Sequence, residues 1–82
     1  MYNVPKIKRV EPLDGLTIRA VFENGTVKSL DLTGYLQTFD EFKPLENRAL
    51  FESVKVDAGG FGISWNDRID LDRRDIWEYG IS

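Results

Sequence analysis

The dipeptide Asn24-Gly25 most constrains the fold, because it separates two segments that are typical of β-strands. In segment 16–22, apolar side chains recur at every second position and therefore share one face of a strand. Asn-Gly between two such segments is the strongest short signal for a β-hairpin, since a type I′ turn needs a positive φ at both central positions. The sequence therefore predicts an antiparallel hairpin with a two-residue loop.

A two-residue loop also fixes the register of this hairpin. Phe22 is then expected to face Val27, and Ala20 to face Ser29. With that register Leu30 lies on the polar face of the strand. Because a slip of one residue would expose the apolar set, we expect a bulge or the end of the strand near Leu30.

Weaker patterns predict the other elements. Short segments with apolar residues indicate three further strands, over 6–11, 54–57 and 61–65. Pro44 suits the first turn of a helix over 43–51, Thr33 suits the cap of a short helical turn, and Asp72 suits the cap of a final turn that ends at Gly80. The chain is thus expected to be a single α+β domain over 1–82, with an antiparallel sheet of four to five strands and two or three short helices on one face.

The predicted core is the set of apolar residues that fall on inward faces of these elements. It consists of Ile7, Val10, Ile18, Ala20, Phe22, Leu36, Leu50, Phe51, Val54, Val56, Ile63, Trp65, Ile69, Leu71 and Ile76.

Two absences in the composition restrict the chemistry. The 82 residues include no cysteine and no histidine. Disulfides, thiolate metal sites and cysteine nucleophiles are therefore excluded, as are the commonest general base near neutral pH and the commonest metal ligand. We expect the chain not to be an enzyme and to carry no cofactor.

The charge pattern bears on partners and location. The net charge is −3, and the basic residues form no stripe interleaved with aromatics. We therefore do not expect this chain alone to bind nucleic acid, and a cationic partner is the better electrostatic match. Neither a membrane-spanning apolar segment nor a secretion signal is recognisable, so the expected location is the cytoplasm.

Aromatic residues near the end of the chain are candidates for an interface. Trp77 and Tyr79 follow Arg73 and Arg74, and exposed aromatics beside arginines are enriched where proteins bind each other. The alternative is that these rings belong to the core. As an interface, Trp77, Tyr79, Arg73 and Arg74 would contact a small companion protein or a second copy of the chain.

A second candidate is a polar site at Asp57 and Asp70. Each carboxylate follows an apolar strand residue, and further acids at 67, 72 and 75 lie close in sequence. Oxygen ligands of this kind suit Mg²⁺ or Ca²⁺, although the spacing does not match the calcium-loop template. The alternative is that these side chains accept backbone hydrogen bonds, cap a helix or form ion pairs.

Several blocks of the chain resemble a known bacterial family, domain of unknown function 2442. The resemblance extends from about Pro5 to Gly80 and is carried by Phe22-Glu23-Asn24-Gly25, Leu30-Asp31-Leu32, Leu50-Phe51, Val54, Val56-Asp57, Ile63-Ser64-Trp65-Asn66-Asp67, Ile69-Asp70-Leu71 and Trp77-Glu78-Tyr79-Gly80. It implies a compact α+β fold, of the kind seen in the N-terminal domain of a nitrifying bacterium's protein, and no established activity. Some members carry a helix-turn-helix after this domain, and others resemble one half of a toxin–antitoxin pair.

These observations favour a non-enzymatic protein-interaction module, an antitoxin-like partner of a small companion protein. Two alternatives remain at this point. One is a domain that binds a small molecule or a divalent metal, and the other is the regulatory domain of a DNA-binding system that lacks its helix-turn-helix.

Overall fold

The computed structural model describes residues 3–82, and it confirms a mixed α+β architecture with antiparallel sheets. In chain order the strands are β1 (Ile7–Pro12), β2 (Thr17–Phe22), β3 (Val27–Asp31), β4 (Lys55–Val56), β5 (Gly62–Ser64) and β6 (Asp70–Asp72). The α-helices are α1 (Thr33–Thr38), α2 (Arg48–Phe51) and α3 (Arg73–Tyr79), and 3₁₀ helices cover Asp40–Glu46 and Ala58–Gly60. In this part of the chain no helix is long and apolar enough to cross a membrane.

The strands form two separate sheets, with the orders β1-β2-β3 and β4-β5-β6. The predicted single sheet of four to five strands is therefore wrong, because the strands of residues 3–82 form two sheets of three strands each. After β3 the chain forms the helical elements of segment 33–51 and then enters the second sheet at β4. Periodicity shows which face of a strand is apolar but not which strands share a ladder, and β6 is too short to give a periodic signal.

The β2–β3 hairpin forms as predicted, but with a different loop. Gly25 N–H donates to the Phe22 carbonyl at 2.9 Å, and Phe22 N–H donates to the Thr26 carbonyl at 2.8 Å. Gly25 has φ 91°, whereas no non-glycine residue within 3–82 has a positive φ. This is a three-residue loop, a type I turn followed by a left-handed glycine, and the predicted type I′ turn is wrong.

The longer loop moves the register by one residue. Val21 faces Val27, Ala20 faces Lys28, and Ile18 faces Leu30. Leu30 therefore lies on the core face and is buried, so no bulge is required in β3. The predicted pairs and the predicted bulge were wrong for the same reason, namely the assumption of a two-residue loop. The alternative prediction, that the strand ends near Lys28–Leu30, agrees with the end of β3 at Asp31.

The irregularity lies in β1 instead. The pairing with β2 shifts between Ile7, which faces Phe22, and Arg9, which faces Val21. An extra residue at this point allows Ile7 and Val10, three positions apart, to be directed towards the same apolar layer. Ile7 is buried and Val10 is half-buried against the core.

The helical segment between the sheets differs from the prediction in two places. The helix predicted over 43–51 is interrupted at Asn47, whose side chain accepts a hydrogen bond from Leu50 N–H at 3.2 Å and so caps α2. Thr33 is not the cap of α1. The Asp31 carboxylate instead accepts from both the backbone N–H and the hydroxyl of Thr33, at 2.9 and 2.7 Å.

One apolar core joins both sheets and the helices. Eleven of the predicted core residues are buried, and Val10, Leu50, Val54 and Val56 pack against them as half-buried residues. The prediction omitted the following buried residues: Val4, Leu30, Leu32, Phe42 and Leu45. Phe42 and Leu45 lie three residues apart in the 3₁₀ helix. This spacing matches the three-residue turn of a 3₁₀ helix, so α-helical periodicity does not identify these two residues as buried.

Glycine at position 60 brings the second sheet against the first. Gly60 has φ 76°, and a Cβ placed on it would lie 2.7 Å from the Ile7 carbonyl oxygen. Such a separation is shorter than a non-bonded contact allows, and any residue with a Cβ is also strained at this φ.

Replacing Gly60 with alanine is therefore expected to destabilise the fold by roughly 2–3 kcal/mol, because strain at a positive φ adds to the clash with Ile7. Gly15→Ala is the matched control, since Gly15 has φ 67° and open space within 4 Å of the added Cβ. Its cost should be only the conformational term of about 1 kcal/mol. Urea unfolding followed by tryptophan fluorescence measures both, and equal losses would contradict the close packing at Gly60.

Candidate functional site

A concave surface rich in aromatic side chains forms a groove between α1 and α3. Its main hollow encloses about 620 Å³ and is lined by Leu30, Asp31, Gly34, Tyr35, Thr38, Phe39, Asp75 and Tyr79. Phe39 and Tyr79 are large rings left 47% and 64% exposed. Exposed rings that line one concave surface are typical of a site at which another molecule binds.

Local sequence places these rings. Tyr35 and Phe39 are four residues apart, so they lie on the same side of α1 and its C-terminal end. The ring centroids of Tyr35 and Phe42 are 5.4 Å apart, and Phe42 in turn meets Trp65 edge-on at 6.5 Å. Because Phe42 and Trp65 are buried, the exposed rings rest on a rigid part of the core.

A second hollow continues the groove towards the second sheet. It encloses about 340 Å³, shares Tyr35, Phe39 and Asp75 with the first, and adds Glu41, Phe42 and β6. The two hollows together are called the aromatic groove below. It runs from the end of β3, past α1 and α3, to the edge of β6.

The charged residues that line the aromatic groove are all acidic. Its lining includes the carboxylates of Asp31, Glu41, Asp70, Asp72 and Asp75. Among the described residues that line it, none is lysine or arginine. A site with apolar rings and a negative rim attracts a cation, and aromatic faces add a further favourable interaction with lysine or arginine.

The pKa shifts at the groove follow from this arrangement. Partial burial, with the like charges of Asp72 and Glu78, raises the pKa of the Asp75 carboxyl above its ordinary value. Partial burial and the nearby Asp75 likewise raise the pKa of the Tyr35 phenol. The two hydrogen bonds from Thr33 instead lower the pKa of Asp31.

The structure separates the four residues predicted as an interface. Tyr79 lines the aromatic groove, but Trp77 is half-buried and packs edge-on against Phe22 at 5.0 Å. The Arg73 guanidinium lies 5.2 Å from the Phe61 ring centroid, and its Nε donates to the Val4 carbonyl at 3.2 Å. Arg74 is exposed at the start of α3. Whether these residues contact a partner stays a prediction.

The predicted polar site is an open hollow of about 370 Å³. Asp57 and Asp70 both line it, together with Phe61, Gly62 and β6. The Asp57 carboxylate accepts a hydrogen bond from the Ser64 hydroxyl at 2.6 Å, which satisfies one of its oxygens within the sheet. Across residues 3–82, no group of three or more aspartates or glutamates is placed to hold a metal ion.

Sequence reasoning missed Tyr35 and Phe39 as site residues. Both lie in the short helical turn predicted after Thr33, and the pattern of a short amphipathic turn does not show whether its rings are covered. The sequence signal for this exposure is an excess of aromatic residues in the segment. In the structure Phe42 of the 3₁₀ helix lies in the core, so Phe39 has no inward position.

Comparison with known proteins places the chain in a family. The sequence pattern of the family described as "Protein of unknown function (DUF2442)" matches residues 7–82. The chain belongs to this family. The resemblance noted from the sequence is thereby confirmed, although the family description assigns no activity. No curated protein matches the chain significantly.

A solved structure shares the fold of this family member. It is the crystal structure of "Putative DNA Binding Protein NE0471" from Nitrosomonas europaea ATCC 19718, which is similar with a TM-score of 0.78 at 23% sequence identity. The similarity covers 95% of this chain and 50% of the other, so this chain spans about half the length of that protein. At this identity the similarity shows the fold alone.

The electrostatics of the groove predict how the pKa of Asp75 responds to a neighbouring substitution. Asp72→Asn should lower that pKa, because it removes one of the like charges that raise it, while asparagine still accepts the capping hydrogen bond from Arg74 N–H. Asp40→Asn, at an exposed carboxylate that pairs with Lys43, is the control. Carboxyl carbon shifts followed by NMR through the acid range measure the effect. An unchanged Asp75 titration in the Asp72 variant would contradict the assigned cause.

Proposed function

We propose that this chain is a non-enzymatic protein-interaction module whose aromatic groove binds a cationic segment of a small companion protein. The observation that carries the proposal is the combination of exposed Phe39 and Tyr79 with a rim of carboxylates and no lining lysine or arginine. The absence of cysteine and histidine from the sequence supports a binding role over a catalytic one.

The energetics of the two exposed rings suit an interface. Aromatic residues supply most of the binding free energy at many protein interfaces, because they bury a large area with few rotatable bonds. Phe39 and Tyr79 are attached to opposite walls of the groove, on the α1 and α3 sides. A segment lying between them would cover both rings at once. The surrounding carboxylates would increase the association rate and exclude acidic partners.

An antitoxin-like role agrees with this surface. An acidic chain with net charge −3 is complementary to a small basic companion, and members of the family resemble one half of such pairs. In this role the groove would cover a cationic surface of the companion. The complex would be held by ring burial and by ion pairs at the rim, and so would weaken with added salt.

The two alternatives receive less support from the geometry. A divalent-metal or small-molecule role at Asp57 and Asp70 would rely on a hollow in which one carboxylate already accepts a hydrogen bond and, within residues 3–82, no group of three acids is placed to hold a metal. The DNA-related alternative is supported by the name of the Nitrosomonas europaea protein, about half of which shares this fold. The aromatic groove would repel phosphates, so in that alternative this domain would regulate and a different region would bind the DNA.

Two ring deletions test the proposed function. The companion protein is taken to be the product of the adjacent gene, and the chain is co-purified with it. The dissociation constant of their complex is measured by calorimetry at low and at moderate salt. Phe39→Ala and Tyr79→Ala should each weaken binding at least about tenfold, which corresponds to roughly 1.4 kcal/mol, because each removes buried ring area. Both rings are exposed in the free chain, so thermal unfolding should change little.

Phe61→Ala is the matched control for these variants. Phe61 is also an exposed ring, at 52%, but it lies outside the aromatic groove, beside Lys6 and Arg73. Its removal should leave the affinity within about twofold, a change of roughly 0.4 kcal/mol. No association with the companion, or an equal loss in the Phe61 variant, would contradict the proposed function.

A further inference from the structure

One wall of the aromatic groove is the open edge of a sheet. β6 is the last strand in the order β4-β5-β6. Hydrogen bonds flank its pairing with β5, from Arg73 N–H to the Phe61 carbonyl at 3.0 Å and from Trp65 N–H to the Ile69 carbonyl at 2.9 Å. Because antiparallel pairs alternate, Leu71 bonds to Ile63, and the N–H groups of Asp70 and Asp72 are directed away from β5.

This edge is reached from the groove. The hollow that contains Phe39 and Phe42 is also lined by the whole of β6. Leu71 is buried, whereas Asp70 and Asp72 are exposed, so the two carboxylates project on the same side of the strand. An extended segment on this edge would place every second side chain level with one of them, since residues i and i+2 of a strand are separated by about 7 Å.

The charges of β6 determine which occupant fits. If a second copy of the chain paired with it, antiparallel and centred on Leu71, Asp70 would lie opposite Asp72 of the other copy, and like charges opposite each other are unfavourable. Charged residues on edge strands are a usual protection against self-pairing. A segment with lysine or arginine at alternate positions makes the opposite, favourable pairs.

We propose that the cationic partner segment binds as an added strand on β6, with basic residues at alternate positions, and continues over the rings of Phe39 and Tyr79. The inference rests on the proposed function of the aromatic groove and specifies the conformation and pattern of its ligand. Since β6 has only three residues, the edge supplies few backbone hydrogen bonds and determines register. Affinity then depends on the rings.

Backbone methylation of a peptide tests this binding mode. The probe is the acetylated and amidated peptide Lys-Val-Lys-Val-Lys-Val-Lys, with a set of variants that each carry one N-methyl group. In an added strand only alternate N–H groups are directed towards β6. Over the central residues, which span β6, methylation at one alternate set should therefore weaken binding at least about tenfold, a change of roughly 1.4 kcal/mol, whereas methylation at the intervening set or beyond the length of β6 should change it less than about twofold.

Amide exchange on the protein supplies the second measurement. On binding the unmethylated peptide, exchange of the Asp70 and Asp72 amides should slow at least about tenfold, as expected for N–H groups that gain a hydrogen-bond partner. The peptide in which glutamate replaces every lysine is the control, and it should neither bind nor slow exchange.

The outcomes separate this inference from the proposed function. Binding without a two-residue period in the methylation series, and with unchanged exchange at Asp70 and Asp72, overturns strand addition. Failure of the lysine peptide to bind at millimolar concentration overturns it as well. The role of the groove is judged independently by the ring variants and the companion protein, which do not depend on the conformation of the segment.

Discussion

The packing around Trp65 is the interaction on which the rest of this structure depends. Its indole N–H donates to the Phe51 carbonyl at 3.1 Å, and its ring lies between Phe51, stacked at 6.5 Å, and Phe42, edge-on at 6.5 Å. Trp65 follows β5, whereas the other two rings belong to the helical segment that separates the sheets. This one buried side chain therefore connects the second sheet to the helices, by ring contacts and a satisfied polar group.

The aromatic groove is a consequence of that packing. Phe42 packs against Trp65 on its inner side, so the neighbouring Phe39 and Tyr35 lie on the outer side of Phe42. There they line the hollow beside α3. The end of α3 then brings Tyr79 to the opposite wall, and its first turn brings Asp75 with a raised pKa. Within residues 3–82 sixteen apolar side chains are already buried, and Phe39 and Tyr79 stay in contact with solvent, where they are available to a partner.

Much of the fold was accessible from the sequence, where the signal was local. The β2–β3 hairpin, the cap at Asp72 and the core position of Trp65 follow from turn chemistry, capping preferences and alternation. The loop type did not, because Asn-Gly is compatible with both a type I′ turn and a type I turn followed by a left-handed glycine. The difference of one residue decided whether Leu30 was exposed or buried.

The candidate site was predictable only in part. Tyr79 and the acids of β6 and α3 stood out by composition, but Phe39 and Tyr35 did not, since their exposure depends on the 3₁₀ helix that fills the core in their place. The division into two sheets was equally inaccessible. It depends on contacts between segments far apart in the chain, which neither periodicity nor propensity encodes.

Amide chemical-shift mapping of the labelled chain with its unlabelled companion protein identifies the surface that binds. We expect the perturbed amides to cluster in α1, β6 and α3, around the aromatic groove, and added salt to reduce the perturbations together. Perturbations centred instead on the β2–β3 loop or on the surface around Phe61, with the groove unchanged, would contradict this expectation.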